Sequence, residues 1–214
     1  FNLYREKYHP FVLPSDYEFR AQATNAVLFI SNFGVINTPL GINKLISSSD
    51  CCPVNSINGW SQHLSEECLG FHRFLASICA LLSETEEKIV IRPHPSEDCA
   101  LYHNIFDLNP RVAIIPQGDL APLIILSKCV VQSGSCTSGV ESYIAGKPVV
   151  SLCASPDNSF LNPSDYTQVI DNTAKLVQFI QGMESCFRYS PPHFDSTKLS
   201  NSILFNLNSD TYDE

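Results

Sequence analysis

Cys-Val-Val-Gln-Ser-Gly-Ser-Cys-Thr-Ser-Gly-Val-Glu-Ser-Tyr-Ile-Ala-Gly-Lys-Pro-Val-Val-Ser-Leu, residues 129–152, reads as a strand, a small hydroxyl-rich turn, a helix and a second strand. Val130 and Val131 give a short apolar run, Gly134 lets the chain turn, and Ser135, Thr137 and Ser138 fall where the next helix presents unpaired N–H groups. Those donors and the positive end of the helix dipole favour an anion without a lysine. The bland alternative is an ordinary N-cap, in which Ser135 or Thr137 satisfies its own helix and nothing binds.

Upstream, Lys-Ile-Val-Ile-Arg-Pro-His-Pro-Ser-Glu (88–97) is another apolar strand running into a basic loop stiffened by two prolines. Arg92 and His94 then leave the sheet at its carboxyl edge, where open α/β sheets bind ligands. Pro93 and Pro95 restrict the backbone around His94, so less ordering entropy is lost when the imidazole meets a ligand. The first strand, Ala-Val-Leu-Phe-Ile-Ser (26–31), ends in Asn32-Phe33-Gly34 and would share that edge if all three strands run parallel. Asn32 and Gly34 are equally readable as a plain turn.

Between these strands, Leu64, Cys68, Phe71, Leu75, Ile78 and Leu82 recur every three or four residues and predict an amphipathic helix over 61–83, with His63 and His72 facing solvent. A helix near 99–107, a strand at 111–115, a turn at 117–119 and a helix at 120–127 with Pro122 in its first turn follow. Gly146 closes the helix over 136–145, and a further helix is expected at 172–183. Strict alternation of this kind means right-handed βα units and one sheet: an α/β, Rossmann-like three-layer sandwich, mostly parallel. The expected division is a lead-in or connector at 1–25, a Rossmann-like domain at 26–190, and a tail at 191–214 with a helix from Ser196 to Leu207. Residues 35–60 are Asn-, Ser- and Gly-rich and predict a long excursion.

Composition excludes several classes. With 214 residues, 44% hydrophobic and 16% charged, the chain can build one good core. No run approaches the roughly 18 apolar residues of a membrane span, and no leader follows Phe1. A net charge of −9 is the wrong sign for gripping nucleic acid through its phosphates, although a local pocket can still be positive. Nine cysteines without a CxxC pair are no disulfide framework, and Cys79, Cys129 and Cys153 read as small buried hydrophobes in a reducing cytoplasm. Cys51, Cys52, His63, Cys68 and His72 fit no usual zinc spacing, so no metal is expected.

Ile-Val-Ile-Arg-Pro-His-Pro-Ser-Glu (89–97), Gly-Asp-Leu-Ala-Pro-Leu-Ile-Ile-Leu-Ser-Lys-Cys-Val-Val (118–131), the Gly-Ser-Cys-Thr-Ser-Gly-Val-Glu and Gly-Lys-Pro-Val-Val runs, and Asn-Phe-Gly-Val-Ile-Asn (32–37) together resemble bacterial surface carbohydrate biosynthesis proteins. The likeness covers roughly residues 24–155. It extends more loosely to capsule Kdo and sialic-acid transferases, CDP-glycerol glycerophosphotransferases and nucleotide-sugar 2-epimerases. The resemblance implies the C-terminal, donor-binding half of a GT-B fold. His94 is similar to the histidine that faces the donor phosphate, with Arg92 in support, and these are the expected catalytic residues. The turn of Ser133, Gly134, Ser135, Cys136, Thr137 and Ser138 matches the phosphate-binding segment, Glu141 resembles the acidic residue on the ribose, and Asn32 and Gly34 line the cleft. The substrate implied is a nucleotide-activated sugar, CMP- or CDP-linked by likeness, with no separate cofactor. A glycan or lipid-linked acceptor would be the partner, and a further domain or partner would supply any peripheral membrane contact.

Two departures matter. Cys-Thr-Ser replaces the Cys-Thr-Thr common in that family, which keeps a hydroxyl, and the acceptor half, where such enzymes commonly keep their base, is not among these residues. Residues 50–60 match no known pattern. A 2-epimerase would need further carboxylates for proton abstraction, and Glu97 and Glu141 are the candidates; a noncatalytic binding module is the third alternative.

Overall fold

A computed structural model of the chain describes residues 18–39, 57–134, 136–152 and 167–183. In chain order the elements are α1 (Arg20–Ala23), β1 (Val27–Ile30), α2 (Ile57–Glu84), β2 (Ile89–Arg92), α3 (Cys99–Phe106), β3 (Val112–Ile114), α4 (Leu120–Leu126), β4 (Cys129–Gln132), α5 (Thr137–Ile144), β5 (Val149–Ser151), β6 (Gln168–Val169) and α6 (Thr173–Gly182). The six strands form one sheet in the order β3-β2-β1-β4-β5-β6, and every pairing is parallel. This is the doubly wound Rossmann order, whose direction of winding reverses between β1 and β4.

Strand alternation builds the three layers. Val27 and Phe29 face one core with Phe74, Ile78 and Leu81 of α2, Tyr102 and Phe106 of α3, and Leu176, Val177 and Ile180 of α6. Leu28 and Ile30 face the other with Ala23, Leu123, Ile124 and Ile115. Because both faces are covered, β1, β4 and β5 are buried at every position, which is why they read as unbroken apolar runs.

Four features differ from the sequence reading. Residues 20–23, within the predicted lead-in, form a turn of helix that packs Ala23 into the second core. Strand β6 was not foreseen: it is two residues long and Gln168 is exposed, so it has no apolar pattern. Cys79 is exposed rather than a core hydrophobe, whereas Cys129 is fully buried and its thiol is pushed up to about 12 by that burial. Cys153, Ser135 and the predicted helix over 196–207 lie outside the described residues.

The fourth difference concerns α2. It begins at Ile57, and Gly70, Phe74, Ser77, Ile78 and Leu81 are its buried positions among residues 61–84, while Cys68 is exposed and Leu69 is 66% exposed. A 28-residue helix is about 42 Å long, whereas a four-residue strand spans only about 13 Å. The helix is therefore much longer than the strands it packs against. Arg111 fixes the other end by donating to the carbonyls of Leu82 and Thr85 at the helix C-terminus.

Candidate nucleotide-binding edge

Strand register decides which residues can meet. Ile30 pairs with both Arg92 and Gln132, Gln132 with Ser151, and Ser151 with Val169, so these residues form one row across the carboxyl edge. The segments that follow, beginning at Ser31, Pro93 and Ser133, all leave the sheet there, at and beside the β1–β4 reversal.

Glu97 organises the first two of these segments. Its carboxylate is 4% exposed. Oε1 accepts from Ser31 Oγ (2.8 Å), the Phe33 amide (3.0 Å) and the His94 amide (3.1 Å). Oε2 accepts from Tyr102 Oη (2.5 Å) and Asn37 Nδ2 (3.4 Å). A buried carboxylate is tolerable only when its lone pairs are satisfied, and here five donors from three segments converge on it. Burial, reinforced by the neighbouring Glu97 charge, raises the Tyr102 phenol beyond its ordinary range, so it remains a protonated donor. Removing that one donor, Tyr102→Phe, should lower stability by about 1–2 kcal/mol in urea unfolding.

His94 is exposed at the tip of its loop. Its Nδ1 accepts from the Ser96 amide (3.2 Å) and lies 2.7 Å from Ser96 Oγ. Gly34 lies against the same serine: a Cβ there would come within 2.0 Å of Ser96 Oγ. Gly34 thus allows the 31–37 loop to close on the 93–97 loop, a packing role beyond simple turn freedom. Asn32 is exposed beside it. Arg92, expected in support of His94, also has a structural engagement. Its guanidinium donates to the carbonyls of Ile115 (3.0 Å), Gln117 (2.6 Å) and Gly118 (2.6 Å), holding the β3–α4 loop to the end of β2.

On the other side of the reversal, Cys136 is the N-cap of α5, with extended backbone and no side-chain hydrogen bond to the first turn. The amides of Thr137 and Ser138 begin the helix; Thr137 is exposed, and Ser133, Gly134, Cys136 and Ser138 are half-buried. Beneath them lies a polar layer that the sequence reading did not single out. Gln132 Nε2 donates to Ser151 Oγ (2.6 Å), Thr167 Oγ1 donates to the same oxygen (3.2 Å), and Ser151 Oγ reaches the Gly134 carbonyl (3.4 Å). Gln132 and Ser151 are fully buried. Gly139 lets α5 approach this layer, since a Cβ there would meet Gln132 Oε1 at 2.0 Å. The visible clue was a glutamine closing an otherwise apolar strand. Glu141, one turn along, is half-buried, and burial raises its carboxyl above the ordinary value.

Similarity to known structures is confined to the fold. The chain resembles the crystal structure of Methanocaldococcus jannaschii UDP-GlcNAc 2-epimerase in complex with UDP-GlcNAc and UDP, with a TM-score of 0.52, 15% identity, and coverage of 89% of this chain and 47% of that one. The chain has a Rossmann-like fold of the GT-B kind. It spans about half the length of that structure. A second structure of UDP-GlcNAc 2-epimerase from Methanocaldococcus jannaschii aligns with a TM-score of 0.49 and 15% identity, covering 98% of this chain and 50% of that one. The sequence matches no protein-family model and no curated protein.

A cavity of about 960 Å³ lined by Asn25, Lys128, Pro148, Ile170, Phe179 and Met183 opens at the amino edge, opposite these loops. Open α/β sheets bind ligands at carboxyl ends, so the loop edge is the candidate site. Among the described residues, no cluster of three or more His, Cys, Asp or Glu could hold a metal, and no helix is long and apolar enough to cross a membrane.

Proposed function

We propose that this chain is the nucleotide-sugar donor half of a GT-B-type, metal-independent glycosyltransferase acting in surface polysaccharide or lipopolysaccharide assembly at the cytoplasmic side. The observation that carries the reading is the placement of the α5 N-terminus at the sheet reversal, on the same carboxyl edge as the His94 loop and one strand removed from it. In this reading the donor phosphate lies on the amides at the start of α5, where the helix dipole favours negative charge. His94 contacts the leaving phosphate, Arg92 contributes its charge while holding its loop, Glu141 meets the ribose, and Asn32 borders the sugar. Charge that develops on the departing phosphate is stabilised by groups already in place. The acceptor, a glycan or a lipid-linked glycan, would be bound by a second lobe or partner.

Glycosyl transfer is favoured over 2-epimerisation because Glu97, one of two candidate carboxylates, is engaged by five donors and is not poised to remove a carbon-bound proton. Titration calorimetry with CMP, CDP and UDP tests the donor site. Binding of one nucleotide, weakened about tenfold or more by His94→Ala, is the expected result for loss of a hydrogen bond to a charged group. Absence of binding by all three would leave a noncatalytic module as the better reading, and turnover of UDP-GlcNAc to its 2-epimer would replace transfer by epimerisation.

A further inference from the structure

We propose that Gly34, Ser96 and Glu97 act as positioning residues that lock the neutral His94 ring in one tautomer, with the proton on Nε2. The inference deepens the donor-site reading by specifying what the ring can do there, and its structural part stands apart from that reading.

The lock has three parts. Glu97 Oε1 accepts the His94 amide at 3.1 Å and the Glu97 amide donates to the His94 carbonyl at 2.9 Å, which closes the loop into a tight turn. Within that turn the Ser96 amide points at Nδ1 from 3.2 Å. A backbone N–H is always a donor, so a proton on Nδ1 would place two hydrogens face to face. Nδ1 is therefore the acceptor and Nε2 carries the proton. The Ser96 hydroxyl, 2.7 Å from Nδ1, then donates to it as well. Gly34 is the third part, because any Cβ at that position would come within 2.0 Å of Ser96 Oγ and 3.0 Å of Ser96 Cβ, driving the serine off the ring.

Chemically, a ring held this way offers an N–H at Nε2 and no lone pair. It suits an acceptor such as a phosphate oxygen and cannot serve through Nε2 as a general base in its neutral form. This matches departure of a nucleotide phosphate and does not match proton abstraction from a sugar carbon.

The test is long-range ¹H–¹⁵N spectroscopy of the histidine rings in the full chain, with the His94 signals assigned by His94→Ala, at a pH where the ring is neutral. A pyridine-type Nδ1 and a pyrrole-type Nε2 are expected in the wild type, a tautomer mixture in Gly34→Ala, and return toward the single tautomer in Gly34→Ala combined with Ser96→Ala, which removes the clashing oxygen. A mixture or an Nδ1–H ring in the wild type overturns the proposal even if the variants fail to fold, and an unchanged ring in folded Gly34→Ala overturns the role of Gly34. Addition of UDP, CDP or CMP then separates the two ideas. A locked ring whose Nε2 signal no nucleotide moves would keep the lock and reject the donor site.

Discussion

Glu97→Ala should lower the unfolding free energy by about 4–5 kcal/mol, enough to remove most of the stability of a marginal domain. The substitution strands the Ser31 hydroxyl, the Phe33 and His94 amides, the Asn37 amide and the Tyr102 phenol together. Each buried donor left without an acceptor costs about 1–3 kcal/mol, and the sum is tempered because His94 lies on the exposed side and can be rehydrated. Glu97→Gln should cost only about 2 kcal/mol, because one acceptor oxygen survives, the Asn37 amide can turn over and the Tyr102 hydroxyl can accept instead of donate. Urea unfolding of the three proteins measures both differences. If alanine and glutamine prove equally mild, within about 1 kcal/mol of the parent, the convergence on this carboxylate is not what holds the loops together.

The second large effect is expected at Gly139. Alanine in a helix is ordinarily favoured over glycine by about 1 kcal/mol. Here the added methyl would sit 2.0 Å from Gln132 Oε1, 2.6 Å from Cδ and 2.8 Å from Nε2, and that side chain is fully buried and tied to Ser151. Overpacking of a pinned side chain costs about 1–3 kcal/mol and occasionally more, so Gly139→Ala should be destabilising by about 2–3 kcal/mol in spite of its helix propensity. In a chain of this size that corresponds to a fall in Tm of roughly 4–12 °C. Adding Gln132→Ala should recover about 1 kcal/mol relative to the sum of the single changes, since it removes the atoms being struck. Calorimetric melting of the two single variants and the double variant would show it, and a Gly139→Ala protein that melts at or above the parent temperature contradicts the close approach.

How much of this was legible beforehand follows from the range of the interactions involved. Strands at 27–30, 89–92, 129–132 and 149–151 announced themselves because a parallel sheet covered on both faces demands unbroken apolar runs. Helices α4 and α5 carried local signals: Pro122 in a first turn, and Gly146 at positive φ after the last turn. By contrast α1 is four residues long and is helical because the second core accepts Ala23, which no local pattern foretells. For the site, residue types were informative and partners were not. His94 and the hydroxyl turn could be picked out as anion-ready, but Arg92 looked equally so and is bound to three carbonyls 23 to 26 residues away. Glu97 meets Ser31 and Phe33 across 66 and 64 residues. Contacts of that separation are created by the sheet order, so the role of Glu97 emerges only once β1 and β2 are placed side by side.

The length of α2 carries a consequence for anything that approaches the carboxyl edge. Phe71 touches Phe33 and Tyr102 near the level of the strand ends, with ring centroids 4.9 and 6.1 Å apart. The 14 residues that precede it extend about 20 Å farther. They stand like a parapet along one side of the candidate edge, so whatever approaches that edge from the α2 side meets this helix first.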